Sequence, residues 1–203
     1  MSKRIIIHDE RVFGKIKTKT AEVIRVGKSD SVKEIFNKAA GYAQKKGGLD
    51  DLIILAHGSF NSQFDSKPGS ELADLNSSFE AVGPVGIAVL GKEKLTNFNI
   101  VHTRALEGLV TSVYLVCCSI ADSPEKRLRN TRWDGRLLCK NLAGYTNAEV
   151  FASSSLQDYS FSGIAIFNTV LYAGEIDLTT VLNMEAPVYR FSPLDGEQTI
   201  VQR

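Results

Sequence analysis

Apolar residues along this chain fall into two patterns. Short unbroken runs close at or near polar or titratable residues: RIIIH at 4–8, DDLIILA at 50–56 and VTSVYLVC at 110–117. Runs of that length and continuity predict strands buried on both faces, as in the middle of a parallel sheet. AEVIRV (21–26), VGIAVLG (85–91) and AEVFASS (148–154) predict further strands. Helical spacing shows most clearly in SVKEIFNKAAGYAQKKGG, where Val32, Ile35, Phe36, Ala39, Ala40 and Ala43 recur on one face. Ser31 with Glu34 three residues later makes a capping-box pattern, and Lys45, Lys46 and Gly47 suit a helix C-terminus. A second helix is expected between Thr96 and Leu109, and a third in GRLLCKNLAGY, with Leu138, Leu142 and Tyr145 along one side.

Between these elements lie segments of other character. Residues 59–82 are rich in Ser, Asn, Asp and Gly and predict a long loop; loops of that length are functional or disordered. SPEKRLRNTRWDG (123–135) is a charged excursion, and 159–185 fits strand or helix equally. VYRFSPLDGEQTIV (188–201) predicts a terminal hairpin with Asp195 and Gly196 in its turn. Strands alternating with helices imply an α/β sandwich on a mainly parallel sheet. In such sheets, chemistry gathers beyond the carboxyl ends of the strands.

Two strand ends stand out on that ground. DLIILAHGSF (51–60) stops at His57 and Gly58, and SVYLVCCSIAD (112–122) stops at Cys117 and Cys118. Singly, such a histidine is more often structural, and a cysteine closing an apolar strand a small hydrophobe. Together they match what thiol acyl transfer needs: a sulfur nucleophile, an imidazole to move its proton, and main-chain N–H groups facing the developing oxyanion. Glycine at 58 lets a carbonyl come close to the main chain, and its N–H is a natural oxyanion donor. Adjacent strand residues point to opposite faces, so only one of Cys117 and Cys118 can face His57.

The bulk numbers narrow the class. The 203 residues suit one domain with a substantial core. With 24 Lys and Arg against 23 Asp and Glu, the net charge of +1 provides no long-range attraction to nucleic acid or an anionic membrane. MSKRIII has too short an apolar run for a signal peptide, and no segment reaches the roughly 18 apolar residues of a membrane span. Three cysteines, two of them adjacent, form no disulfide framework, so free thiols in a reducing, cytoplasmic setting are expected.

Other candidates carry blander alternatives. A zinc site built from His57, Cys117 and Cys118 lacks the usual ligand spacing, so no metal and no cofactor are expected. His102 falls in the expected second helix, where a surface or packing role is the default; His8 ends the first strand beside Asp9 and Glu10, and Cys139 lies among apolar helix residues. Asp65, Glu71 and Asp74 either recognise a basic side chain or keep a loop solvated. Trp133, with Asp134, either lines a cleft beyond Cys118 or anchors its own loop. No Gly-x-Ser-x-Gly elbow and no phosphate-binding glycine loop occurs, which argues against a serine hydrolase or an NTPase.

ILAHGS and VYLVCCSIAD resemble the paired His-Gly and Cys motifs of caspase-like (clan CD) cysteine peptidases, most closely the bacterial CHAT-type domains. LGKEKLT (90–96) is similar to the segment that follows the His-Gly strand there, CSIA (118–121) to the Cys-x-x-Ala pattern, and YTNAEVFASSS (145–155) to the helix-to-strand segment after it. The likeness runs from about residue 50 to residue 157. It implies a three-layer caspase-like sandwich over a single domain, 1–203. It also implies a Cys118–His57 dyad with Gly58 at the oxyanion, and leaves Cys117 to pack in the core. The implied activity is peptide hydrolysis through an acyl-enzyme, with a protein or peptide substrate and a partner protein for activation or recognition. The rival expectations are a catalytically inactive module on the same fold, and amidase or transpeptidase chemistry on the same dyad.

Overall fold

The computed structural model describes residues 3–12, 14–16, 18, 20–58, 86–118, 120–122, 134–154, 165–166, 169–170, 175–176, 184, 187–194 and 198–201. The loop at 59–82 with Asp65, Glu71 and Asp74, the charged stretch with Trp133, and the Asp195-Gly196 turn lie outside the described residues, as does most of 159–185.

The chain starts with β1 (Arg4–Asp9), a two-residue β2 (Lys15–Ile16) and β3 (Ala21–Val26). Helix α1 (Val32–Lys46) follows. Its capping box forms as the sequence implies: the Ser31 side chain accepts from the Glu34 N–H, and the Glu34 carboxylate accepts from the Ser31 N–H. Gly47 ends the helix in the left-handed conformation at φ 67°. The six residues expected on its inner face are all buried. Phe36 is inaccessible to solvent, and truncating it to alanine would cost about 3–5 kcal/mol.

Next come β4 (Leu49–Leu55), β5 (His57–Gly58), β6 (Ala88–Leu90) and β7 (Glu93–Leu95). The helix expected over 96–109 is instead a shorter 3-10 segment, Ile100–Leu106. Local chemistry favours the tighter winding. The Asn99 side chain accepts the Thr96 N–H, and the Thr103 hydroxyl donates to the Ile100 carbonyl. Ile100, Val101 and Thr103 are β-branched, and Gly108 at φ 68° follows the segment. Then come β8 (Val110–Val116), α2 (Gly135–Thr146) and β9 (Glu149–Ser153). Short strands β10 (Ala165–Ile166), β11 (Thr169–Val170) and β12 (Glu175–Ile176) lead to β13 (Val188–Phe191) and β14 (Gln198–Val201). The last two form the expected antiparallel hairpin, with Val188 opposite Val201 and Phe191 opposite Gln198.

The fold is mixed α/β on a seven-stranded sheet ordered β14-β13-β9-β8-β4-β1-β3. The five strands from β9 to β3 run parallel, and β13 and β14 are antiparallel at one edge. Residues of α1, the 3-10 segment and α2 join one core cluster with Ile5, Ile7, Leu52, Ile54, Val113 and Leu115 on one face. Ile6, Ile53, Leu55 and Val116, on the opposite face, join Val12, Met184 and Val188 in a second cluster. Among the described residues no helix is long and apolar enough to cross a membrane.

One topological feature frames a crevice at the carboxyl ends of the strands. After β1 the chain moves to β3, on one side of it in the sheet; after β4 it moves to β8, on the other side. The connections therefore part between β1 and β4, and the carboxyl ends beside such a switch point frame a natural crevice.

Candidate active site

The register brings the two candidate strand ends together. β4 and β8 pair in parallel up to Leu55 opposite Val116, and His57 and Cys118 each lie two residues beyond that pair. Leu55 and Val116 share the second cluster, whereas Cys117 belongs to the first with Leu115. Strand alternation thus puts position 118, not 117, on the face that His57 continues.

Gly58 is where the two ends touch. A Cβ built there would overlap the Cys118 carbonyl oxygen and stand 2.6 Å from its carbon and 2.7 Å from its nitrogen. Only a residue without a side chain lets the main chains approach this closely. The approach that glycine permits here is that of the Cys118 backbone. β5 in turn pairs with β6, placing His57 opposite Val89 and Gly58 opposite Ala88.

The His57 ring is oriented from the turn that follows β1. Its Nε2 lies 2.9 Å from the main-chain oxygen of Arg11. A carbonyl oxygen can only accept, so Nε2 carries the proton, and in the neutral ring Nδ1 holds the lone pair. The turn that presents this carbonyl is heavily braced. Val12 N–H donates to the Asp9 carbonyl at 2.9 Å, and His8 Nε2–H donates to the Val12 carbonyl at 2.8 Å. The Arg11 guanidinium forks onto Asp9, with Nε 2.7 Å from Oδ1 and Nη2 2.6 Å from Oδ2. Asp9 also accepts the Arg11 N–H at 3.0 Å and the Gly91 N–H at 2.8 Å.

The three cysteines separate by environment. None of them is in a disulfide among the described residues; Cys117 and Cys139 are buried and Cys118 is partly exposed. Burial pushes the Cys117 thiol far up, its neighbour Cys118 adding to the effect, and Sγ lies 3.8 Å from the Ile54 carbonyl oxygen. Burial likewise raises the Cys139 thiol. A thiol held protonated in the core makes a poor nucleophile, which leaves Cys118 as the candidate among the three.

Beyond Cys118 the chain is pinned in two places. Ala121 N–H donates to the Ser153 carbonyl at 2.9 Å, and Gly135 N–H donates to the Asp122 carbonyl at 2.8 Å, closing the neck of the charged excursion. Gly86, at φ 69°, packs against Gly135, and a side chain on either would strike main-chain atoms. Gly86 and Gly135 thus meet beside the Ile120 and Asp122 carbonyls, shortly after Cys118 in the chain. Asp134 is the N-cap of α2, accepting the Leu137 N–H.

Of the other candidates, His8 is buried and serves the β1 turn, while His102 is half-buried in the 3-10 segment. Asp65 and Trp133 lie outside the described residues. Sequence reasoning did not single out Arg11, Asp9 or Gly91 as partners of the site. The available signal was the abrupt HDER after an apolar run, which places four polar residues where a parallel strand ends. Among the described residues no group of three or more His, Cys, Asp or Glu side chains could hold a metal ion.

The arrangement sets the main chain of the partly exposed Cys118 against Gly58, the residue after a histidine whose ring is held by the Arg11 carbonyl, across the ends of neighbouring parallel strands. No protein-family model matches the chain, and comparisons with curated proteins and with solved structures find no match.

Proposed function

We propose that this chain is a caspase-like cysteine endopeptidase, with Cys118 as nucleophile, His57 as general acid/base and the Gly58 N–H at the oxyanion. The observation that carries this reading is the contact of Gly58 with the Cys118 main chain, which holds the His-Gly and Cys motifs beside each other at the carboxyl ends of β4 and β8, next to the switch point. The parallel sheet and the order of its motifs suit a caspase-like sandwich. In the reaction, the Cys118 Sγ–H proton passes to His57 Nδ1 as sulfur bonds to a peptide carbonyl carbon. Collapse of the tetrahedral intermediate breaks the C–N bond, and the proton goes from His57 to the departing amine. Water, deprotonated by the same nitrogen, then cleaves the thioester and restores the thiol. The hydrogen bond to Arg11 keeps the ring in the tautomer these transfers require. Substrate is a protein or peptide segment, with Asp65 and Trp133 as candidate contacts.

The test pairs an active-site thiol label with peptide-library digestion. Labelling by iodoacetamide should fall on Cys118 and slow sharply in His57→Ala. Cleavage should vanish in Cys118→Ala and persist in Cys117→Ala. Cys118 labelling indifferent to His57, with no cleavage by any variant, would instead favour a non-catalytic module on this fold. Products heavier than simple hydrolysis allows would favour transpeptidation.

A further inference from the structure

The geometry points to Asp9 as a positioning residue for the His57 imidazole, acting through Arg11 and Gly91; this inference deepens the dyad proposed above and rests on it. Asp9 is 1% exposed, so its carboxylate is removed from water. A buried charge is tolerated when its hydrogen-bonding capacity is met. Four donors meet it here: Oδ1 takes the Arg11 N–H and Nε–H, and Oδ2 takes Arg11 Nη2–H and the Gly91 N–H. Arg11 Nη2 also donates to the Gly91 carbonyl at 2.7 Å. One ion pair therefore grips both main-chain groups of Gly91.

Two routes run from this pair to His57. Along the first, the carboxylate fixes the Arg11 main chain, whose carbonyl accepts from His57 Nε2. Along the second, Gly91 follows β6, whose Val89 stands opposite His57 in the ladder. Gly91 is held from its other side as well. It has φ 65°, a Cβ on it would meet the Asp30 carbonyl, and the Lys92 N–H donates to that oxygen at 2.8 Å. The ring and the backbone of His57 are thus referred to the same carboxylate. A surface salt bridge needs no such convergence, whereas a base that must keep one tautomer at one place does.

The experiment follows the His57 ring nitrogens by NMR in the uniformly 15N-labelled full chain, alongside iodoacetamide labelling of Cys118. In the parent protein at a pH where the ring is neutral, Nε2 should show the protonated signature and Nδ1 the lone-pair signature. Asp9→Asn should draw the two nitrogens toward an averaged, mixed-tautomer position and slow Cys118 labelling at least tenfold. Arg11→Lys, which keeps the carbonyl but loses the fork, should show a smaller change of the same kind. If Asp9→Asn fails to fold because it strands the Arg11 charge, the neutral pair Asp9→Asn/Arg11→Gln carries the same expectation. A folded variant lacking the carboxylate with unchanged ring signatures would overturn the positioning role. Altered signatures in a chain that cleaves no peptide would leave that role standing and remove the peptidase reading instead.

Discussion

The ring of His57 donates from Nε2 to the main-chain oxygen of Arg11, across a sequence separation of 46. Because the acceptor is a carbonyl and not a carboxylate, it fixes the tautomer without placing a full negative charge beside the imidazole. His57→Gln tests what the ring adds beyond that bond. The glutamine amide can donate to the same oxygen, so stability should hold within about 0.5 kcal/mol, in the range of mild substitutions. On the peptidase reading proposed above, hydrolysis should nevertheless fall about 100-fold or more, the usual size of a lost general base. Urea unfolding and peptide turnover, measured on the same preparation, separate the two effects.

Native-state alkylation should discriminate among the cysteines by burial. Cys118 should react, while Cys117 and Cys139 should remain unmodified until the protein is unfolded, since burial raises both thiols. Cys117→Ala should cost of order 1 kcal/mol for the sulfur removed from the core, with Cys118 labelling little changed. Mass spectrometry of peptides after a brief iodoacetamide pulse makes the assignment. Modification of Cys117 at a rate near that of Cys118 would contradict the burial described above.

His8 should give the fold an acid sensitivity of its own. The side chain is 5% exposed, and burial lowers its pKa from 6.5, more than the Val12 carbonyl and nearby acids restore it. Above pH 6.5 both folded and unfolded forms are neutral there, so the residue adds no pH dependence. Below 6.5 the unfolded chain takes a proton that the folded chain refuses, so stability falls with pH by up to about 1.4 kcal/mol per unit until the folded pKa is reached. His8→Gln keeps a donor for Val12 and cannot titrate. Its urea midpoint should match the parent at pH 7.5 and exceed it at pH 5.5. Equal slopes in the two proteins would remove His8 as a source of acid sensitivity.

The legible parts of this molecule are those governed by short-range physics. Helix α1 was readable residue by residue, because its capping box, apolar face and terminal glycine all lie within 17 positions and agree. Buried parallel strands announced themselves as unbroken apolar runs, and the ends of two of them marked His57 and Cys118. What could not be read depends on pairing between distant segments. Sheet order decides that β8 lies beside β4, and nothing in either strand states it. The Arg11 carbonyl is a main-chain atom, so no residue type advertises its use by His57. The helix expected over 96–109 failed for a local reason, as side-chain bonds from Asn99 and Thr103 favoured the tighter 3-10 turn.

Gly58 gives the sharpest test of how the site is assembled. Its Cα faces the Cys118 main chain so closely that a single added methyl has no room. The obstacle is backbone at the end of a paired strand and not the tip of a flexible side chain, so relief requires β5 and the Cys118 turn to separate. Gly58→Ala should therefore destabilise the protein by about 1–3 kcal/mol, the usual cost of overpacking. For a chain of this size that is roughly a 2–4 °C drop in Tm per kcal/mol. The separation should also carry His57 away from the thiol, because the histidine is the preceding residue. Cys118 alkylation in the folded variant should then lose most of its dependence on His57. Measuring that rate in Gly58→Ala and in Gly58→Ala/His57→Gln decides it: two equal rates support the contact as the point of assembly. A ratio as large as in the parent background would show that thiol and imidazole stay together without it.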